Sequence, residues 1–153
     1  MNYFVTIISL VMISCGSMKT LSNGKQIDNR LIGIWTGFES DKQIESMSKK
    51  WEMTRNDDGT FVLDFKYTQD GKTFNSIETG NWWIENGKFY EFHEESGGTD
   101  VYEYTVIDKN HIKFKSVNIS IDMNVDSYEF IDSRKIIEKD KKSKNKNKQG
   151  VDF

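Results

Sequence analysis

Between residues 30 and 132 apolar and polar residues alternate in short runs separated by turn signals, the pattern of a meandering antiparallel sheet. The registers can be tested against the side chains. A loop at Asp57-Asp58-Gly59, with Gly in the left-handed position, pairs Met53 with Leu63 and Trp51 with Phe65, and both pairs are apolar. An Asp70-Gly71 turn sets Tyr67 opposite Phe74. An Asn86-Gly87 turn sets Ile84 opposite Phe89 and Glu85 opposite Lys88. A three-residue loop Asp108-Lys109-Asn110 pairs Val106 with Ile112 and Tyr104 with Phe114. Beyond Phe114 the apolar parity switches from even to odd positions, which calls for a bulge near Ser116. A last strand over residues 128–131 brings the count to about eight, the number at which a closed barrel either fills with side chains or holds one small ligand. The predicted fold is therefore all-β, an antiparallel meander closing into a small barrel. Residues 41–49 are the one place where a short helix fits.

A different pattern opens the chain. "YFVTIISLVMI", residues 3–13, is an apolar run of signal-peptide length, shorter than the roughly 20 residues a membrane-spanning helix needs. It ends in "MISC", which places the chain's single cysteine, Cys15, directly behind it. This arrangement resembles the lipobox of bacterial lipoproteins. The resemblance implies cleavage before Cys15, diacylglycerol on its thiol, and a place in the cell envelope, with the outer membrane as the expected location. The expected organisation is a signal peptide over 1–14, a lipidated tether over 15–29, a barrel over 30–133 and a basic tail over 134–153.

Composition supports the strand reading. The 153 residues include 10 Phe, 6 Tyr and 4 Trp but no Ala, so aromatic residues suited to half-buried sheets replace the best helix former. The net charge of −3 is unevenly spread. The tail carries 8 basic and 3 acidic residues, a local +5, which leaves −8 on the preceding 133. Such a tail lacks the apolar periodicity needed to offset its ordering entropy and is expected to be solvated. Basic residues of the body are scattered and outnumbered, which argues against a nucleic-acid partner. One Cys rules out an internal disulfide framework and a multi-thiolate metal site.

No nucleophile motif, phosphate-cradling loop or nucleotide fingerprint appears, so no catalytic residue is assigned. Glu91, His93 and Glu95 share one strand face, but neighbouring side chains there stand about 7 Å apart and no further ligand is identifiable, so no metal or other cofactor is expected. The Asn86-Gly87 hairpin is unusual in having two aromatic faces. Trp82, Ile84 and Phe89 lie on one, and Trp83, Tyr90 and Phe92 on the other.

"LIGIWTG", residues 31–37, is similar to the opening Gly-x-Trp strand of lipocalins and lipocalin-like bacterial lipoproteins, and a second Gly-x-Trp stands at Gly80 to Trp82. The resemblance implies a barrel whose first Trp closes the floor, with Trp82 facing the lumen and Glu91 directly opposite. Two non-enzymatic functions follow. A small apolar or amphipathic molecule would bind in the lumen against Trp35, Trp82, Tyr102 and Tyr104, with Glu91 as a polar handle. Alternatively a filled barrel would present Trp83, Tyr90 and Phe92 to an envelope protein, as an inhibitor or immunity-type factor. Lumen volume separates the two.

Overall fold

The computed structural model describes residues 16–40, 45–119 and 128–137; Cys15 and the tail beyond residue 137 lie outside them. Ten strands form: β1 (Met18–Thr20), β2 (Gln26–Asp28), β3 (Gly33–Ser40), β4 (Met47–Arg55), β5 (Thr60–Gln69), β6 (Lys72–Glu85), β7 (Lys88–His93), β8 (Thr99–Asp108), β9 (His111–Asn118) and β10 (Glu129–Arg134). A single 3-10 turn, Asn29–Leu31, separates β2 from β3. Strands β3 to β10 pair with their chain neighbours, and β10 pairs with β3, so the eight close into an antiparallel up-and-down barrel. This is the connectivity of the eight-stranded barrels that lipocalins also use.

Strand β6 makes the bend that closure requires. Lys72 to Asn81 pair with β5, while Gly80 to Glu85 pair with β7. At the crossover a Cβ on Gly80 would collide with the Phe92 carbonyl oxygen and the Phe61 ring. Glycine lets the two strands approach at this corner.

The hairpin registers match their side-chain patterns. Met53 faces Leu63, Trp51 faces Phe65, Tyr67 faces Phe74, and Ile84 faces Phe89. Asp70 and Asn86 have φ of 50° and 51°, followed by Gly71 and Gly87 at 73° and 74°, the geometry of two-residue I′ turns. Tyr104 faces Phe114 and Val106 faces Ile112, but Asp108 pairs with His111. The connection is thus a tighter turn plus an irregularity at Ile107, where a three-residue loop was expected. The parity switch is a bulge: Tyr102 pairs with Ser116 and Val101 with Asn118.

Three expectations need correction. Residues 47–49 are strand and not helix, because they extend β4 and Lys49 faces inward, 9% exposed. Arg134, assigned by its charge to the tail, is the last residue of β10 and donates to the Arg30, Ile32 and Lys109 carbonyls. The segment expected as a tether forms the β1–β2 hairpin, which joins β6 at Gln26 opposite Ile84. Its Ile27 and Asp28 are fully buried. Strands of three residues are too short to show a period, which is why the alternation left them unmarked.

Candidate ligand-binding site

One end of the barrel is solid. Ile27, Leu31, Trp35, Trp82, Phe89, Ile112 and Phe114 are at most 2% exposed and pack as one cluster. Trp35 donates from Nε1 to the Leu31 carbonyl at 2.8 Å, and the Arg134 guanidinium lies 4.1 Å over its ring. Gly33 makes room for that cation, since a Cβ there would stand 2.5 Å from Arg134 Nη1. The Gly-x-Trp spacing therefore has a local cause: the glycine admits the arginine that covers the tryptophan. Trp82 donates to the Asn56 carbonyl at 3.2 Å. Tyr104 donates to Asp28 Oδ2 at 3.0 Å, and Arg30 grips the same carboxylate at 2.6 Å. Burial pushes the Asp28 carboxyl up, but these bonds outweigh it and hold it below its ordinary value. Beside that buried charge, Tyr104 is pushed up to about 12, mainly by its own burial. Trp35, Trp82 and Tyr104 thus belong to the closed end, outside the cavity.

Above this floor lies a cavity of about 160 Å³. Trp51, Met53, Leu63, Phe65, Tyr102 and Phe130 supply its apolar wall, and the remaining lining is ionisable: Lys49, Arg55, Glu78, Glu91, His93, Asp100 and Asp132, with Tyr128. Of the residues expected to contact a ligand, Glu91 and Tyr102 line it. Pockets for drug-sized ligands run from ~300 to 1,000 Å³, whereas an engineered apolar cavity of ~150 Å³ admits benzene. The space suits a molecule of about one ring.

The lumen's charges fall into two groups. At the base, Asp132 accepts from Trp51 Nε1 at 2.7 Å and from Arg55 Nη2 at 2.9 Å. Arg55 is 2% exposed; its Nε and Nη1 have no hydrogen-bond acceptor, and its guanidinium lies 5.0 Å from the ring centroids of both Phe89 and Phe114. This ion pair is locked between rings and fixes the Trp51 indole, which lies flat across Gly37. Near the opposite end, burial lowers the Lys49 pKa, opposed by the Glu39 carboxylate, and Tyr128 donates to Glu39 at 2.8 Å.

The second group surrounds His93. Its Nδ1 is 2.9 Å from Glu78 Oε2, and its Nε2 is 3.6 Å from Asp100 Oδ2 and 3.9 Å from Glu91 Oε1. Burial disfavours the imidazolium, but the bond to Asp100 and the charges of Glu91 and Glu78 push its pKa up to about 9. Glu91 is pushed up to about 7 by burial, against the pull of Arg55 and His93. It accepts no hydrogen bond among the described residues and is 6% exposed. Glu95, on the same alternation, lies at the surface and accepts from Thr79. Among the described residues no group of His, Cys, Asp and Glu is placed to hold a metal ion.

On the outer face Trp83 stacks on Tyr90 with centroids 5.2 Å apart, and Lys25 of the amino-terminal hairpin sits 3.2 Å over the indole. Trp83, Tyr90 and Phe92 are all half-buried. The hairpin therefore roofs part of the face expected to meet a partner.

Sequence reasoning missed Arg55, Asp132, Lys49, Glu78 and Asp100. The signal was present as a breach of parity: Arg55 continues the inward series Trp51, Met53, and Asp132 continues Phe130. A charge on the apolar parity of a barrel strand faces the lumen and needs a partner there.

The fold and site together define a closed eight-stranded barrel with a small, ionisable lumen. No family model matches the sequence, and no curated protein matches it. Among solved structures the chain is similar to a bovine odorant binding protein in complex with a selenium-containing odorant, at 20% identity and a TM-score of 0.44, covering 80% of this chain and 83% of that one.

Proposed function

We propose that this protein is a non-enzymatic binding protein that holds one small molecule in the barrel lumen. The observation that carries the reading is the cavity of about 160 Å³, walled by aromatic rings on one side and ionisable groups on the other. An interior meant only for stability would replace those buried charges with apolar side chains at little cost or at a gain. Binding is favoured over catalysis because His93, with its pKa up at about 9, offers no free base near neutrality. Titration with benzyl alcohol, benzylamine and benzoate, followed by amide chemical shifts, tests it. The expected result is that at least one probe shifts Leu63, Glu91 and Tyr102 while the outer-face positions Val62 and Tyr90 stay still. No lumen shift with any of the three overturns the reading.

The same proposal places the barrel on a bacterial membrane through a lipid on Cys15. Its support is the apolar run ending in "MISC" with the chain's single cysteine. Cys15→Ala is expected to move the protein from the membrane fraction to the soluble one and to abolish labelling by radioactive palmitate. A variant that stays with the membrane, beside a wild type that takes up no label, removes the anchor.

A further inference from the structure

Among the described residues, the lumen's charges do not balance. Arg55 is matched to Asp132 at 2.9 Å, and Lys49 is set against Glu39. What remains is one imidazole, His93, facing three carboxylates, those of Glu78, Glu91 and Asp100. With all four groups ionised the cluster carries a surplus of two negative charges. Glu91 is the carboxylate with no hydrogen bond, 94% buried by its 6% exposure, and it lines the cavity. A buried carboxylate without a donor is costly, and a positively charged donor seated beside it removes that cost. The rest of the wall suits such a guest, since aromatic faces attract an organic cation through their quadrupoles.

Resting on the lumen-binding reading above, we infer that the ligand is a small organic cation, a protonated amine on a compact apolar body, with its ammonium against Glu91 and its body against Trp51, Phe65 and Phe130. The cavity's size limits that body to about one ring. A molecule with a carboxylate in place of the amine would meet the surplus negative charge and be rejected.

Calorimetric titration of the full chain with benzylamine, benzyl alcohol and benzoate tests the inference, because the three differ little in size and chiefly in charge. Benzylamine is expected to bind at least tenfold more tightly than benzyl alcohol, with benzoate weakest. Glu91→Gln should erase the preference for the amine while retaining the alcohol. Since the substitution removes a buried charge, the variant should melt no lower than wild type, and its melting curve establishes that it is folded. Wild-type affinity for benzylamine should also rise between about pH 6 and pH 8 as Glu91 gives up its proton. The charged groups facing Glu91 are His93 on its own strand, Asp100 from β8, Arg55 from β4 and Asp132 from β10, with Glu78 of β6 beyond the imidazole. His93 stays protonated across that range. Benzyl alcohol or benzoate binding as tightly as benzylamine overturns the cation and leaves the lumen site standing. Failure of all three to bind removes the site itself. A Glu91→Gln variant that folds and keeps the amine preference moves the cation's partner away from Glu91 and overturns the inference as stated.

Discussion

Glu91 and His93 hold protons in the folded state that the unfolded chain would release. Between about 4.5 and 7 a folded Glu91 is protonated while an unfolded one is ionised; between about 6.5 and 9 the same holds for His93. In both ranges the native state binds more protons, so stability falls as pH rises. Below its ordinary value of 3.8 Asp28 acts in the opposite sense, because its depressed pKa favours the native state only while it is ionised. Urea midpoints should therefore peak near pH 4 to 5 and decline toward about pH 9 by an amount on the order of a few kcal/mol. Glu91→Gln should flatten the limb between about pH 5 and 7. A midpoint that climbs from pH 5 to 8 would show that the lumen carboxylates are better paired than their geometry indicates.

At the scale of the element, the β6–β7 hairpin assigns opposite fates to adjacent tryptophans. Trp82 is 1% exposed in the floor and stacks on Phe89 at 6.0 Å. Trp82→Ala should cost about 3 to 5 kcal/mol, as truncation of a large core side chain does. Trp83 keeps a stacked ring and an overlying ammonium but stays half in solvent, so Trp83→Ala should cost about 1 to 2 kcal/mol. Chemical denaturation of the two variants checks this, and equal losses would mean that the amino-terminal hairpin buries Trp83 fully in solution.

The whole molecule depends on a segment outside the barrel's strands. Ile27 joins the floor cluster, and Asp28 ties Arg30 to Tyr104 of β8, so the β1–β2 hairpin closes the barrel end as a plug. Ile27→Ala should lower stability by about 2 to 5 kcal/mol, although it lies in a stretch that reads as a polar linker. Met18→Ala, at a residue 42% exposed, should change it by no more than about 0.5 kcal/mol. Thermal unfolding of the two variants measures the contrast; an Ile27→Ala chain as stable as wild type would make the hairpin a passenger.

The strand class, the four hairpin registers and the bulge near Ser116 were legible in the chain because they are local: period-2 alternation and turn residues with positive φ act within about ten positions. The opposition of Trp82 and Glu91 followed from the same register. What remained hidden depends on contacts distant in sequence. Asp132 meets Trp51 and Arg55 across separations of 81 and 77 residues, and Tyr104 meets Asp28 across 76. Alternation shows which face a side chain occupies but not the height at which it stands along the barrel axis. Closure alone placed Trp35, Trp82 and Tyr104 at the floor, and Glu91 and Tyr102 beside the cavity. It also set three carboxylates around one imidazole, because β6, β7 and β8 bring Glu78, His93 and Asp100 to the same level only when their strands are paired.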